Sequence, residues 1–212
     1  MKAWKVFVFG SLFFIASGIA LTFVGDKGYF LKWLATSRTP LADQYFYHVT
    51  KLGEEIGFVI IGILLWLRSW RKMIFIPLLG GAVTILTYVL KKIFQHERPR
   101  LYLERTGWDG PLAVLDYSLL SGHSSFPSGH SMAAWALFTF IAAMIRKTWV
   151  SVVCLILAAS VSISRVYLMA HFLRDVLAGA ALGFALGYIT WYFFDKWVGE
   201  RQLTSNLEPR NP

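Results

Sequence analysis

The sequence predicts an all-α, polytopic membrane protein: a bundle of six transmembrane helices with an interfacial helical segment between the first two. Three observations carry the prediction. Of the 212 residues, 56% are hydrophobic and 16% charged, where a soluble domain has roughly 45–50% and 25%. Mean hydropathy is +0.53. Six apolar runs approach the ~20 residues needed to cross ~30 Å of hydrocarbon, where only helices and closed barrels satisfy their own backbone. This composition excludes an ordinary cytosolic enzyme. One membrane domain, residues 1–197, is expected, followed by a polar and loose tail, 198–212, containing Asn206, Pro209 and Pro212.

The spans fall at about 4–24, 55–70, 73–94, 129–146, 148–169 and 174–195, the second being the least apolar in its flanks. The first run is too long for a removable signal and lacks its small-residue cleavage site, so it reads as a mature helix. Lys2 and Lys5 place its start inside, which leaves the stretches 1–5, 68–72, 146–147 and 196–212 in the cytoplasm. With Asp195, these hold ten Lys or Arg against three Asp or Glu; the rest of the chain holds eleven against nine. The inside cations crowd into very short loops, where the positive-inside rule operates. The formal charge of +9 is thus a topology signal, and with no separate basic run it does not indicate nucleic acid. Between spans one and two, Leu41, Tyr45, His48, Val49 and Leu52 recur at helical spacing among polar residues, as in a helix lying along the interface. Cys154, within an apolar run, is the only cysteine, so neither a disulfide framework nor a cysteine metal cluster is expected.

Charged side chains at the ends of membrane helices are costly and mark function by default. Three clusters stand out. In residues 91–99, KKIFQHERP, Lys91 and Arg98 lie seven apart, so a continuing helix returns them to nearly one face about 10 Å apart. Pro99 disfavours helix at Arg98 and should end the helix there. In residues 126–131, FPSGHS, Pro127 suits a first helical turn and Gly129 permits close backbone approach. The free N–H groups of such a helix start form a seat for phosphate. In residues 164–175, SRVYLMAHFLRD, His171 and Asp175 stand at i and i+4, so that a carboxylate orients an imidazole. With six crossings, the end of span three, start of four, end of five and start of six share one membrane face, so the clusters can meet. Three cations (Lys91, Arg98, Arg165), a helix N-terminus, two histidines and a carboxylate suit phosphoryl transfer, where positioning and charge neutralisation dominate.

These residues resemble the signature of the type 2 phosphatidic acid phosphatase family: K-x(6)-R-P over 91–99, P-S-G-H over 127–130 and S-R-x(5)-H-x(3)-D over 164–175. Each motif alone is weak; their order and spacing over about 85 residues is specific. The shortness and apolarity of the chain resemble the integral-membrane lipid phosphatases rather than the soluble acid phosphatases or haloperoxidases of the same family. The resemblance implies a metal-independent, two-step hydrolysis with no cofactor. In it, His171 is the nucleophile that becomes phosphohistidine, Asp175 orients it, and His130 is the general acid. Lys91, Arg98, Arg165, Ser128 and the Gly129 N–H hold the phosphoryl oxygens. It further implies a lipid phosphate substrate, such as undecaprenyl diphosphate, phosphatidylglycerophosphate, phosphatidic acid or a lipid A phosphate, and a site opening to the periplasmic face of a bacterial inner membrane. A phosphotransferase would use the same residues. A transporter or a non-catalytic phospholipid-binding protein is the reading from another class, with intact His171 and Asp175 against it.

Other polar residues have plainer readings. Lys92 snorkels; His96, Glu97, Arg100 and Arg105 are rim residues; His123 is a loop histidine; and Asp109, Asp116 and Trp108 shape the second outer loop. Gly179, Gly183 and Gly187 repeat every four residues, which suits close packing within the bundle or, as the less favoured use, a homodimer face. Trp4, Trp70, Trp149 and Trp197 read as interfacial anchors.

Overall fold

The structure is a computed structural model that describes residues 2–68, 73–111 and 124–207, with Arg68 and residues 199–207 described by their backbone only. Trp70, Arg71, Lys72, Asp116, His123, Glu208 and Arg210 lie outside the described residues. Among those described, all regular structure is helical: α1 (Lys2–Leu21), α2 (Tyr29–Thr36), α3 (Pro40–Val49), a 3₁₀ turn (Thr50–Gly53), α4 (Glu55–Arg68), α5 (Phe75–Phe94), α6 (Pro99–Arg105), α7 (Gly129–Ile145), α8 (Thr148–Tyr167) and α9 (Leu173–Leu207).

Helix α7 is the axis of the bundle. Its sequence is apolar all round, the mark of a helix enclosed by others, and Ser131 through Ala143 are all buried. Helices α8 and α9 flank it, α5 packs on another side, and α1 closes over α8 and α9. Trp135 is fully buried, its ring 5.3 Å from that of Phe14 and its indole N–H donating to Ser162 Oγ at 2.9 Å. Ser131 Oγ lies 2.6 Å from Ser162 Oγ and donates to the Val176 carbonyl at 2.7 Å. This shared serine network joins α7, α8 and α9, and it leaves none of its hydroxyls unpaired in an apolar core.

The glycine stripe of α9 is what lets α7 approach. A Cβ at Gly179, Gly183 or Gly187 would lie 2.5, 2.2 or 2.3 Å from the carbonyl oxygens of Ser128, Met132 and Ala136 respectively. The repeat is therefore occupied inside the bundle, as favoured from sequence, and is not open as a face for a second copy.

Outward surfaces are apolar: Phe9, Phe13, Leu64, Ile85, Ile93 and Ile156 are all more than half exposed, a surface suited to lipid rather than water. Four segments are long and apolar enough to cross a membrane: Lys2–Leu21, Phe75–Arg105, Thr148–Tyr167 and Leu173–Val198. The second and fourth spans expected from sequence are shorter helices, α4 of 14 residues and α7 of 17, about 21 and 26 Å at 1.5 Å per residue. A helix walled in by protein, as α7 is, has no need to match the bilayer thickness.

Two local expectations change. The interfacial segment is two helices, α2 and α3, with α3 started by a Thr39 cap (Ala42 N–H to Thr39 Oγ1, 3.2 Å) and Pro40. It is moored on α8 by Tyr45 O–H to Ser160 Oγ at 2.8 Å and Tyr167 O–H to Asp43 Oδ1 at 2.5 Å. Helix α9 runs on to Leu207, through the stretch read as loose tail. Trp4, read as an interfacial anchor, stacks with Phe7, Phe184 and Tyr188.

Candidate active site

The first cluster assembles through a turn rather than along one helix face. Helix α5 stops at Phe94, because Gln95 adopts a left-handed conformation (φ 42°) and turns the chain. Arg98 is extended (φ −82°, ψ 159°) ahead of Pro99, which opens α6, as the steric demand of proline on its predecessor requires. Lys91 remains on the last turn of α5 within electrostatic range of Arg98, Arg165 and Asp175. Arg98 is buried, donating to Ser124 Oγ at 3.3–3.4 Å and to the Ala170 carbonyl at 3.4 Å.

In the second cluster the helix opens two residues later than Pro127: Ser128 is the cap, accepting from the Ser131 N–H at 3.4 Å, and Gly129 is the first helical residue. Ser128 is fully buried and its own N–H donates to the Asp175 carbonyl at 3.0 Å. Gly129 leaves its place in the first turn against α5, where a Cβ would stand 3.2 Å from Thr87 Cγ2. The first turn of this helix, with its free N–H groups and the positive end of its dipole, opens on the same cleft that Lys91 and Arg165 line.

The third cluster turns on Met169, left-handed at φ 56°. Past it, the N–H groups of Ala170 and His171 both donate to the Arg165 carbonyl, at 3.0 and 3.1 Å, which fixes His171 over the end of α8. Asp175 sits in the first turn of α9 and reaches back to the Phe172 N–H at 3.1 Å, the acidic half of a capping box. Ser125 Oγ donates to the same carboxylate oxygen at 2.5 Å. His171 Nδ1 stands 3.8 Å from that oxygen, so the i, i+4 pairing expected from sequence is kept although His171 precedes the helix. Burial pushes the His171 imidazole down to about 4, with Asp175 pulling the other way and the guanidiniums of Arg165 and Arg98 adding to the fall. Burial thus favours the neutral imidazole, with its Nδ1 turned to Asp175.

All eight residues named from sequence therefore gather at one end of the bundle. Lys91, Gly129, His130 and Arg165 line a cleft of about 1090 Å³; Arg98, Ser128, His171 and Asp175 are buried beside them. Away from the polar end, the cleft runs between α4 and α5 over Phe58, Val59, Ile76, Gly80, Gly81 and Val83. Among the described residues no three His, Cys, Asp or Glu come together as a set that would hold a metal ion. The charged rim residues are paired: Glu97 with Lys27 (3.2 Å) and Arg105 (3.0 Å), Arg100 with Glu104 (2.8 Å).

Four contributors escaped the sequence. Ser124 and Ser125 hold Arg98 and Asp175, and only their place just ahead of the second motif hinted at it. Thr50 and Glu54 come from the turn before α4: Thr50 Oγ1 accepts from Arg165 Nη1 at 2.8 Å, and Glu54 Oε1 lies 3.2 Å from His130 Nε2. Nothing in the local sequence marks them.

The family model of the PAP2 superfamily matches residues 70–198. The chain is 29% identical over 182 residues to phosphatidylglycerophosphatase B of Bacillus subtilis, a match covering 78% of this chain and 81% of that protein. It is 31% identical to the lipid A 4'-phosphatase of Bacteroides thetaiotaomicron, over 49% of this chain and 45% of that one. The crystal structure of a transmembrane PAP2-type phosphatidylglycerolphosphate phosphatase from Bacillus subtilis superposes with a TM-score of 0.66 at 26% identity, covering 92% of this chain and 98% of that one. With three motifs gathered at one site and a family match over more than half its length, this multi-pass helical membrane protein belongs to the PAP2 superfamily of phosphatases.

Proposed function

We propose that the protein hydrolyses the phosphomonoester or diphosphate of a membrane lipid, without a metal, through a phosphohistidine formed on His171. The observation that carries the reading is the cleft: Lys91, Arg165, the helix N-terminus at Gly129 and the His130 imidazole at one end, with His171 buried beside them, and an apolar channel between α4 and α5 at the other. That is the shape of an anionic headgroup joined to a hydrocarbon tail. Phosphate oxygens lie among Lys91, Arg98, Arg165 and the N–H groups at Gly129, with Ser128 shaping the turn. His171 Nε2 attacks phosphorus in line with the leaving oxygen, and Asp175 steadies the positive charge that grows on the ring. His130 protonates the leaving oxygen, then takes a proton from the water that releases phosphate. In this reading six crossings place both termini in the cytoplasm and the site on the outer, periplasmic face. Residues 1–197 act as one unit.

Among substrates, the similarity to phosphatidylglycerophosphatase B favours glycerophospholipid phosphates. Undecaprenyl diphosphate and lipid A phosphates fit the same chemistry, and a phosphotransferase would differ only in the acceptor. A transporter is disfavoured, because the polar groups sit at one end of the bundle and not at its middle. The test is phosphate release by the purified protein with chelator present, across a panel of lipid mono- and diphosphates.

Two outcomes are expected. Gly81 lines the apolar channel and has open space where a Cβ would go, so Gly81→Leu is compatible with the helix and obstructs the channel. KM for a long-chain lipid phosphate should rise several-fold while that for a dioctanoyl analogue changes less; equal changes would place the tail elsewhere. The second concerns pH. The His171 imidazole is held down to about 4, against about 6.5 for a free imidazole, so its neutral form persists as pH falls through 6.5. Corrected for the substrate's own ionisation, kcat/KM, which reports groups of the free enzyme, should show no acid limb from the nucleophile until about pH 4. A limb between 6 and 7 that disappears in an otherwise active His171 variant would overturn the assignment. The same shift makes folding pH-dependent: between 6.5 and 4 the unfolded chain binds the extra proton, so stability falls as pH drops through that window.

A further inference from the structure

Glu54 stands outside every motif, yet its carboxylate meets the imidazole of His130, Oε1 to Nε2 at 3.2 Å, both side chains about 30% exposed to the same cleft. The contact is built. The 3₁₀ turn Thr50–Gly53 is pinned at its start by Arg165 Nη1 donating to the fully buried Thr50 Oγ1 at 2.8 Å. At its end, Gly53 lies so close to α7 that a Cβ would fall 2.7 Å from the His130 carbonyl oxygen and 2.8 Å from Val161 Cγ1. Only glycine fits there, and the seat it makes delivers the next residue, Glu54, to the His130 ring. One turn thus engages both a phosphate-facing cation and the second histidine.

The charges around His130 give this contact a purpose. From α5 Lys91, from the turn after it Arg98, from α8 Arg165, and beyond α8 His171 all act on the ring as positive or potentially positive groups. An imidazole acting as the general acid must be protonated, and so positive, before it gives its proton up, and like charges oppose that state. The carboxylate of Glu54 is the opposite charge in contact with the ring.

We propose that Glu54 is the positioning residue of His130: it accepts a hydrogen bond from Nε2–H and stabilises the imidazolium that protonates the leaving oxygen. The inference rests on the reading of His130 as general acid. As the bond between phosphorus and the leaving oxygen breaks and the His171 Nε2–phosphorus bond forms, the Nδ1 proton of His130 passes to the leaving oxygen, leaving a neutral ring still bonded through Nε2–H to Glu54. In the second step water attacks phosphorus, the phosphorus–nitrogen bond breaks, and the water proton returns to Nδ1. Glu54 exchanges no proton with substrate and gains no bond to it.

A general acid matters for a poor leaving group and little for a good one, and this separates its support from mere folding. Glu54→Gln, His130→Gln and the double variant are to be assayed in detergent on dioctanoyl phosphatidic acid, whose leaving group is an alkoxide, and on p-nitrophenyl phosphate, whose leaving group needs no proton. Glu54→Gln should lose roughly 10-fold or more activity on the alkyl substrate beyond its loss on the aryl one, a part of the 10²–10⁴ that acid catalysis supplies. His130→Gln should show the same bias more strongly, the double variant should match His130→Gln alone, and Glu54→Asp should recover part of the loss. If His130→Gln shows the bias but Glu54→Gln does not, or if the two losses multiply, the role of Glu54 falls while that of His130 stands. If His130→Gln shows no bias, the general-acid reading itself falls, and Glu54 with it.

Discussion

Phosphate release by His171→Gln should fall by roughly 10⁵-fold or more, the scale on which an enzyme loses rate when a nucleophile that works as a unit with its partners is removed. The Arg165 carbonyl holds the His171 N–H at 3.1 Å, and Asp175 faces Nδ1 at 3.8 Å. Glutamine matches the side chain in size closely enough that a residue only 2% exposed can be exchanged without opening a cavity, so the variant should remain monodisperse in detergent. The diagnostic measurement is a label. Acid-labile, base-stable radioactivity should appear on the wild-type protein after rapid quenching with a phosphorus-labelled lipid and be absent from His171→Gln. Asp175→Asn should keep a weaker label and lose roughly 10²–10⁴ in turnover, as when the orienting carboxylate of a His pair is neutralised. Label on His171→Gln, or turnover near wild type, would move the chemistry to another residue.

Gly183→Val should give the largest structural effect of any single change in the bundle. Its Cβ would meet the Met132 carbonyl oxygen at 2.2 Å, Trp135 Cβ at 2.9 Å and the Ala136 nitrogen at 3.0 Å. Two of these are helix backbone, so relief requires α9 to move off α7. Overpacking of this kind costs about 1–3 kcal/mol and occasionally more. Moving α9 also disturbs the Ser128 N–H to Asp175 carbonyl bond and the Ser131 bond to Val176, so activity should fall with stability. Thermal unfolding in one detergent, with Gly81→Ala alongside, checks this. Gly81 meets nothing within 4 Å, and an alanine there should be neutral or stabilising by about 0.5–1 kcal/mol through reduced backbone entropy. If the two variants unfold alike, the seam between α7 and α9 is looser than its geometry.

The three clusters were legible because each is local. A charged residue in an apolar run, a proline and glycine at a helix start, and a histidine four residues ahead of an aspartate are all visible within a few positions. The parity of spans then brought them to one end. Legibility failed where backbone turns intervened. The seven-residue spacing of Lys91 and Arg98 suggested one helix face, but Gln95 ends α5 four residues earlier than Pro99 does, and the two cations meet across a bend. The fourth span starts at Gly129, as its apolar run implies, with Pro127 outside the helix because Ser128 is the better cap.

The sequence by itself determined the class of protein, the order of its apolar helices and the residues that gather at one end of the bundle, because hydropathy and helical period are properties of neighbouring residues. Tertiary structure alone decided which distant segments complete the site and where the apolar channel between α4 and α5 runs. Glu54 and His130 are 76 residues apart, Thr50 and Arg165 are 115, and Ser125 reaches Asp175 across 50. Such contacts depend on how helices dock, through a glycine that lets one backbone touch another, and a docking distance leaves no periodicity in a single chain for a reader to find.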